Sequence, residues 1–210
     1  MTRKSRRSPA VLPGKSFVDF VQRRRDEICI AFWAAGFLLA LALKSPAKDL
    51  LGRSPGCLEL GAWALLILGV GSRIWAAANM EKNRFDRPSG PYLMVRHPLY
   101  LGTLAISFSF FMVLGLPIAG SALWGGLLFG VFLPVIRKEE RELLSWFPRA
   151  YGGYVKRVPQ LVPNLLALPK ALSRNLFSME RAGKNFGLRA LWFLVLVPGL
   201  SSLLVWIQSR

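Results

Sequence analysis

The feature that most constrains this chain is a set of long apolar runs. Uncharged runs occupy Ile28–Leu43, Leu99–Leu114, Ile118–Ile136 and Ala190–Ile207. A fifth, Cys57–Ala78, is broken only by Glu59 and Arg73. A bilayer core of ~30 Å takes about 20 helical residues, with ~17 as a working minimum. Ile28–Leu43 and Leu99–Leu114 are short by that measure, but Phe32, Trp33 and Tyr100 suit the headgroup interface. Apolar residues make up 53% of the 210-residue chain, too many for its few polar stretches to cover as a soluble protein. The expected fold class is all-α: a polytopic membrane protein with five transmembrane helices.

A net charge of +17 suggests nucleic acid until its placement is considered. Eight Lys/Arg fall in residues 1–27, four in 80–98 and eleven in 137–189, against three in 44–56 and none in Gly115-Leu116-Pro117. This alternation is the positive-inside pattern. It places the N-terminus, 80–98 and 137–189 in the cytoplasm and the C-terminus outside, as in a multi-pass protein of a bacterial inner membrane. No stacking aromatics or reader motif accompany the charges, so nucleic acid is not an expected partner. Anionic lipid is. The basic N-terminus is too long for an ordinary signal peptide, and the C-terminal Ser-Arg is no prenylation box. Two cysteines and one histidine supply no disulfide framework and no zinc site, so no metal is expected. Cys29 and Cys57 belong a membrane thickness apart.

Four regions follow. Residues 1–27 read as a disordered basic cytoplasmic arm. Residues 28–163 form the membrane core. Residues 164–187 read as an interfacial amphipathic segment, with Leu165, Leu168, Leu172, Leu176 and Met179 on one helical face. Residues 188–210 hold the last span, either kinked or re-entrant at Pro198-Gly199. Gly115-Leu116-Pro117 makes the third and fourth runs an antiparallel hairpin. The fourth continues as helix to Pro148, and "GGYVKRVPQLVPN" reads as loop.

That hairpin brings two polar clusters to one cytoplasmic surface. "SGPYLMVRHPLYLG" holds the sole histidine, His97, with Pro98 suited to the first helical turn and His97 at or near the cap. Arg96, His97 and free N–H groups there suit an anion, and Tyr92 and Tyr100 can stack or bond. Some 40 residues later, Glu139 and Glu140 lie within the apolar arc of their helix, while Glu142 faces water. A carboxylate on a buried face needs a partner: a local pair with Arg137 or Lys138, or a ligand. "YGGYVKRVP" adds Tyr151, Tyr154 and Arg157. A ligand with a cation, a carboxylate, ribose hydroxyls and an aromatic ring would use all these groups, and S-adenosyl-L-methionine is one.

"GPYLMVRHPLYLG", a helical hairpin, and "EERELLSWFPRAYGGYVKRVPQLVP" together resemble the isoprenylcysteine carboxyl methyltransferase and phospholipid methyltransferase superfamily over roughly residues 79–163. The resemblance implies an integral-membrane, S-adenosylmethionine-dependent methyltransferase acting on a lipophilic carboxylate or amine. It implies a cofactor site from Tyr92, His97, Pro98, Leu99, Tyr100 and Glu139, to which the local charge adds Arg96. Glu140, Tyr154 and Arg157 match further positions and are the catalytic candidates. The related prenylcysteine enzymes carry an arginine four residues before the glutamate that is Glu139 here, where this chain has Val135. Pro148 replaces a usual glycine. A membrane reductase of related architecture, or a non-catalytic protein keeping the fold, are the alternatives.

Overall fold

The computed structural model describes residues 17–46, 56–80, 88–185 and 187–210. The first sixteen residues of the basic arm, the middle of the 44–56 connection and residues 81–87 lie outside the described residues. Everything described is helix or connecting turn. Two helices precede the first gap, α1 (Phe17–Arg23) and α2 (Arg25–Ala42). After it come α3 (Cys57–Asn79), α4 (Pro98–Val113) and α5 (Pro117–Gly126). A π-helical turn, Leu127–Phe132, joins α5 to α6 (Leu133–Trp146), and α7 (Pro148–Val155) follows. The chain ends with α8 (Leu168–Ser173), α9 (Met179–Lys184), a 3-10 stretch over Gly187–Trp192, and α10 (Phe193–Gln208).

Three helical stretches, rather than five, are long and apolar enough to cross a membrane among the described residues: Cys57–Asn79, Pro117–Trp146 and Gly187–Gln208. The 16 residues of α4 rise only about 24 Å, and α2 opens on the charged Arg25, Asp26 and Glu27. The last span runs as one helix through Pro198, not as a re-entrant hairpin. Residues 17–23 of the expected arm are helical and packed. Lys138 of α6 reaches Asp19 and Gln22 of α1, and also Glu142 at 3.7 Å. Glu142 is therefore partly buried and paired rather than facing water.

Local chemistry explains most boundaries. Glu59, which breaks the second apolar run, accepts the N–H of Gly56 at the start of α3. Pro98 opens α4, with His97 at the cap. Gly115 turns the chain at φ +73°, and Pro117 opens α5. Pro134 has no N–H and would crowd the carbonyl of Gly130 in a regular helix. The π turn just before it widens the helix there, and the Leu133 N–H donates to the Leu128 carbonyl. Gly152 and Gly153, expected in a loop, lie inside α7. Tyr151 and Tyr154 on that helix pack with Val158, Leu143 and Phe147, and this burial outweighs glycine's poor helix propensity. The expected single amphipathic helix is broken between Ser173 and Met179. The Leu176 N–H and the Trp75 indole N–H bond Asn79 and Asn175 instead, tying the break to α3.

Buried polar groups pair between helices, as an apolar surround requires. Trp33 donates to Ser107 at 3.0 Å, Trp124 to the Leu104 carbonyl at 2.8 Å and Ser109 to the Ala62 carbonyl at 2.7 Å. Helices α3 and α4 pack most closely at Gly69 and Gly102. A Cβ on Gly102 would sit 2.8 Å from the Gly69 carbonyl and 2.6 Å from the Arg73 side chain. Gly102→Ala is thus expected to cost about 1–3 kcal/mol by overpacking. A Cβ on Gly71 meets nothing within 4 Å, so Gly71→Ala should gain a few tenths to about 1 kcal/mol from helix propensity. Thermal unfolding in detergent of the two variants should move in opposite directions.

Candidate functional site

The close crossing of α3 and α4 leaves a cavity of about 720 Å³ beside it, bounded also by α2, α6, α9 and the start of the last span. All seven residues expected at a cofactor site line it: Tyr92, Arg96, His97, Pro98, Leu99, Tyr100 and Glu139. The first comes from a 3-10 turn, Gly90–Leu93, whose entry needs glycine. Gly90 has φ +53°, and a Cβ there would meet the Asn79 side chain at 2.5 Å. The next five follow on the turn into α4, and Glu139 arrives along α6.

Two linked clusters fix the geometry. The Tyr100 hydroxyl donates to Glu139 Oε1 at 2.6 Å and accepts from Arg25 at 2.7 Å. The Arg25 guanidinium also lies over the Tyr100 ring, 5.2 Å from its centre, and Phe132 packs edge-on to that ring at 5.5 Å. In the second cluster, Glu140 Oε1 accepts from His97 Nε2 at 3.0 Å and forms an ion pair with Arg96 at 2.9 Å. Its other oxygen accepts from Gln160 at 3.1 Å. Neither glutamate pairs with Arg137 or Lys138 in any bond described. His97 and Tyr100 stack at 5.7 Å and join the clusters.

The catalytic candidates are placed differently. Glu140 does not line the cavity; it pins the middle of α6 to the Arg96-His97 turn. Tyr154 is buried and donates to the Tyr92 carbonyl at 2.7 Å. Arg157 is exposed just past the end of α7, and its Nε donates to the Gly153 carbonyl of that helix. Burial pushes the Tyr92 and Tyr154 phenols well above the usual range, and Tyr151 up to about 12. These groups are neutral donors near pH 7 and not bases.

Other lining residues were not foreseen. Arg25 and Asp26 come from α2, Arg73 from α3, and Lys184, Asn185 and Arg189 from the C-terminal region. Asn185 also bonds the Ala77 and Met80 carbonyls, fastening this wall to the end of α3. Trp33, Phe132 and Phe193 give an aromatic side. Arg73 had a visible signal, as one of two charges in an apolar run. Cys29 lines the cavity and Cys57 starts α3, whose far end reaches Met80 at the cavity, about 34 Å away along the helix. Both thiols are free. Among the described residues no three His, Cys, Asp or Glu come together as a metal site would need.

The chain is similar to several curated bacterial proteins. It is 37% identical over 124 residues to the cobalt-zinc-cadmium resistance protein CzcN of Cupriavidus metallidurans, covering 53% of this chain and 51% of the relative. It is 38% identical over 76 residues to methanethiol S-methyltransferase 2 of Bradyrhizobium diazoefficiens, covering 36% of this chain and 28% of that protein. To the nickel-cobalt-cadmium resistance protein NccN of Alcaligenes xylosoxydans xylosoxydans it is 26% identical over 200 residues, covering 89% and 85%. The chain thus spans about half the length of the first of these. No family model matches it, and no solved structure does. The fold and these similarities together define an all-helical protein of membrane type with partial similarity to a methyltransferase.

Proposed function

We propose that this protein is an integral-membrane, S-adenosyl-L-methionine-dependent methyltransferase acting on a lipophilic acceptor. The observation that carries the reading is convergence: seven residues singled out in the sequence line one cavity although they come from opposite ends of a helical hairpin. The lining also fits the group. Its volume lies within the ~300–1,000 Å³ of small-molecule sites. The Tyr92 hydroxyl is buried there with no hydrogen-bond partner among the described residues, a cost that a ligand would relieve. Glu139 retains lone pairs for ribose hydroxyls, Lys184 and Arg189 suit a carboxylate, and Phe132 suits an adenine ring. The similarity to methanethiol S-methyltransferase 2 points to the same chemistry.

When bound, the cofactor supplies an activated methyl group. The chain's own residues do the rest. The Arg25–Tyr100–Glu139 chain of bonds fixes one wall, and the Glu140 cluster fixes the turn carrying Tyr92 to Pro98. The apolar wall excludes water, so an acceptor is held by position and not by covalent help. The binding test is calorimetric titration of the detergent-purified protein with S-adenosylhomocysteine and, separately, NADPH. The reading requires saturable binding of the first alone. Binding of NADPH alone would favour a reductase, and binding of neither would leave a non-catalytic membrane protein.

A further inference from the structure

Arg73 stands out once the site is assembled. It lies near the Asn79 end of α3, inside a stretch long and apolar enough to cross a membrane. A charge there is costly and is ordinarily paired or functional. Its Nη1 contacts the Thr103 hydroxyl and the Leu99 carbonyl at 3.5 Å, both neutral oxygens on α4. Its Nε is buried without a hydrogen-bond partner among the described residues. No carboxylate in any ion pair described belongs to it. Arg25 lines the same cavity, where it meets Asp26, its chain neighbour, at 3.4 Å and reaches Glu139 through the Tyr100 hydroxyl. The lining as a whole carries five cationic side chains, Arg25, Arg73, Arg96, Lys184 and Arg189, against two carboxylates, Asp26 and Glu139.

We propose that Arg73, with Arg25, forms a subsite for the anionic headgroup of the methyl acceptor, so that the acceptor is an organic anion on an apolar chain and not an amine. The inference rests on the methyltransferase reading of this cavity. A guanidinium presents a planar fork that matches a carboxylate, and the adjoining Trp33 and Phe193 offer an apolar surface for its chain. A second observation agrees. An amine would have to lose a proton, yet Glu140 lies off the cavity and is occupied by His97, Arg96 and Gln160, and Tyr154 is spent on a backbone carbonyl. Glu139, the glutamate that lines the cavity, is the one assigned to the cofactor. An anion needs no base. A lone pair on the acceptor forms the new bond to the methyl carbon. The carbon–sulfur bond breaks, its electron pair stays on sulfur as a neutral thioether, and no proton moves.

The test titrates dodecanoate and dodecylamine into full-length protein in lipid nanodiscs, with and without S-adenosylhomocysteine, following tryptophan fluorescence. Empty nanodiscs correct for partitioning. Wild type should bind dodecanoate at least tenfold more tightly than dodecylamine. Arg73→Met should lose at least tenfold for dodecanoate and stay within twofold for S-adenosylhomocysteine. Arg73→Lys should fall between them, and carries the test if Arg73→Met does not fold. Equal binding of the two amphiphiles, or unchanged dodecanoate binding by the folded variants, would make Arg73 a tie between α3 and α4 and overturn the subsite. So would a loss for S-adenosylhomocysteine that spares 5′-methylthioadenosine, because the guanidinium would then hold the cofactor's own carboxylate. Failure of wild type to bind S-adenosylhomocysteine defeats the methyltransferase reading, while the dodecanoate titration still tests Arg73 alone.

Discussion

Glu140→Ala is expected to be the most destabilising single change in this site, costing about 3–5 kcal/mol. The carboxylate is largely shielded from water and holds Arg96 at 2.9 Å and His97 at 3.0 Å. Removing one partner of such a pair strands the other in a poor solvent, which costs more than the pair itself contributes. The same argument predicts recovery. Arg96→Met in the Glu140→Ala background removes the stranded charge, so the double variant should regain at least 1 kcal/mol over Glu140→Ala. Thermal or denaturant unfolding of both variants in detergent checks this. A loss below about 0.5 kcal/mol for Glu140→Ala would mean that the cluster is solvated and does not pin α6 to the turn.

Glu139→Gln should act on binding and leave the fold in place. Glu139 accepts a hydrogen bond from Tyr100, lines the cavity and has lone pairs to spare. A charge-assisted bond from this carboxylate to the cofactor is worth on the order of 1.5–3 kcal/mol, or about ten- to a hundredfold in affinity. Glu142, one turn further along α6, pairs with Lys138 at 3.7 Å and lies outside the cavity. Glu142→Gln should bind S-adenosylhomocysteine as wild type and lose no more than about 0.5 kcal/mol of stability. Equal binding by the two variants, at matched folding, would remove Glu139 from the site.

These two glutamates also show what the sequence made legible. Helical periodicity placed Glu139 and Glu140 on a buried arc, and the Gly-Leu-Pro break brought that arc back to His97. Both features are local, so both could be read without neighbours. Periodicity could not tell which carboxylate would face the cavity and which would hold the turn, because that depends on where α4 sits. It also put Glu142 in water, since α1, whose Asp19 helps hold Lys138, was read as part of a disordered arm. The Gly152-Gly153 pair misled for a related reason: propensity is a weak prior, and tyrosines packing on both sides of it decide the helix. Arg25 and Arg189 escaped, and Arg73 was visible only as a charge in an apolar run, because each belongs to a different stretch of chain and only the assembled bundle sets them around one cavity.

The most direct test of the central claim is ultraviolet cross-linking of methyl-tritiated S-adenosyl-L-methionine to the purified protein, followed by peptide mapping. Label should enter wild type, be suppressed by excess S-adenosylhomocysteine but not by NADPH, map to the segment carrying Tyr92 to Tyr100, and fall at least tenfold in Glu139→Gln. Label that is absent, that is not competed, or that maps only to peptides away from this cavity would contradict the account.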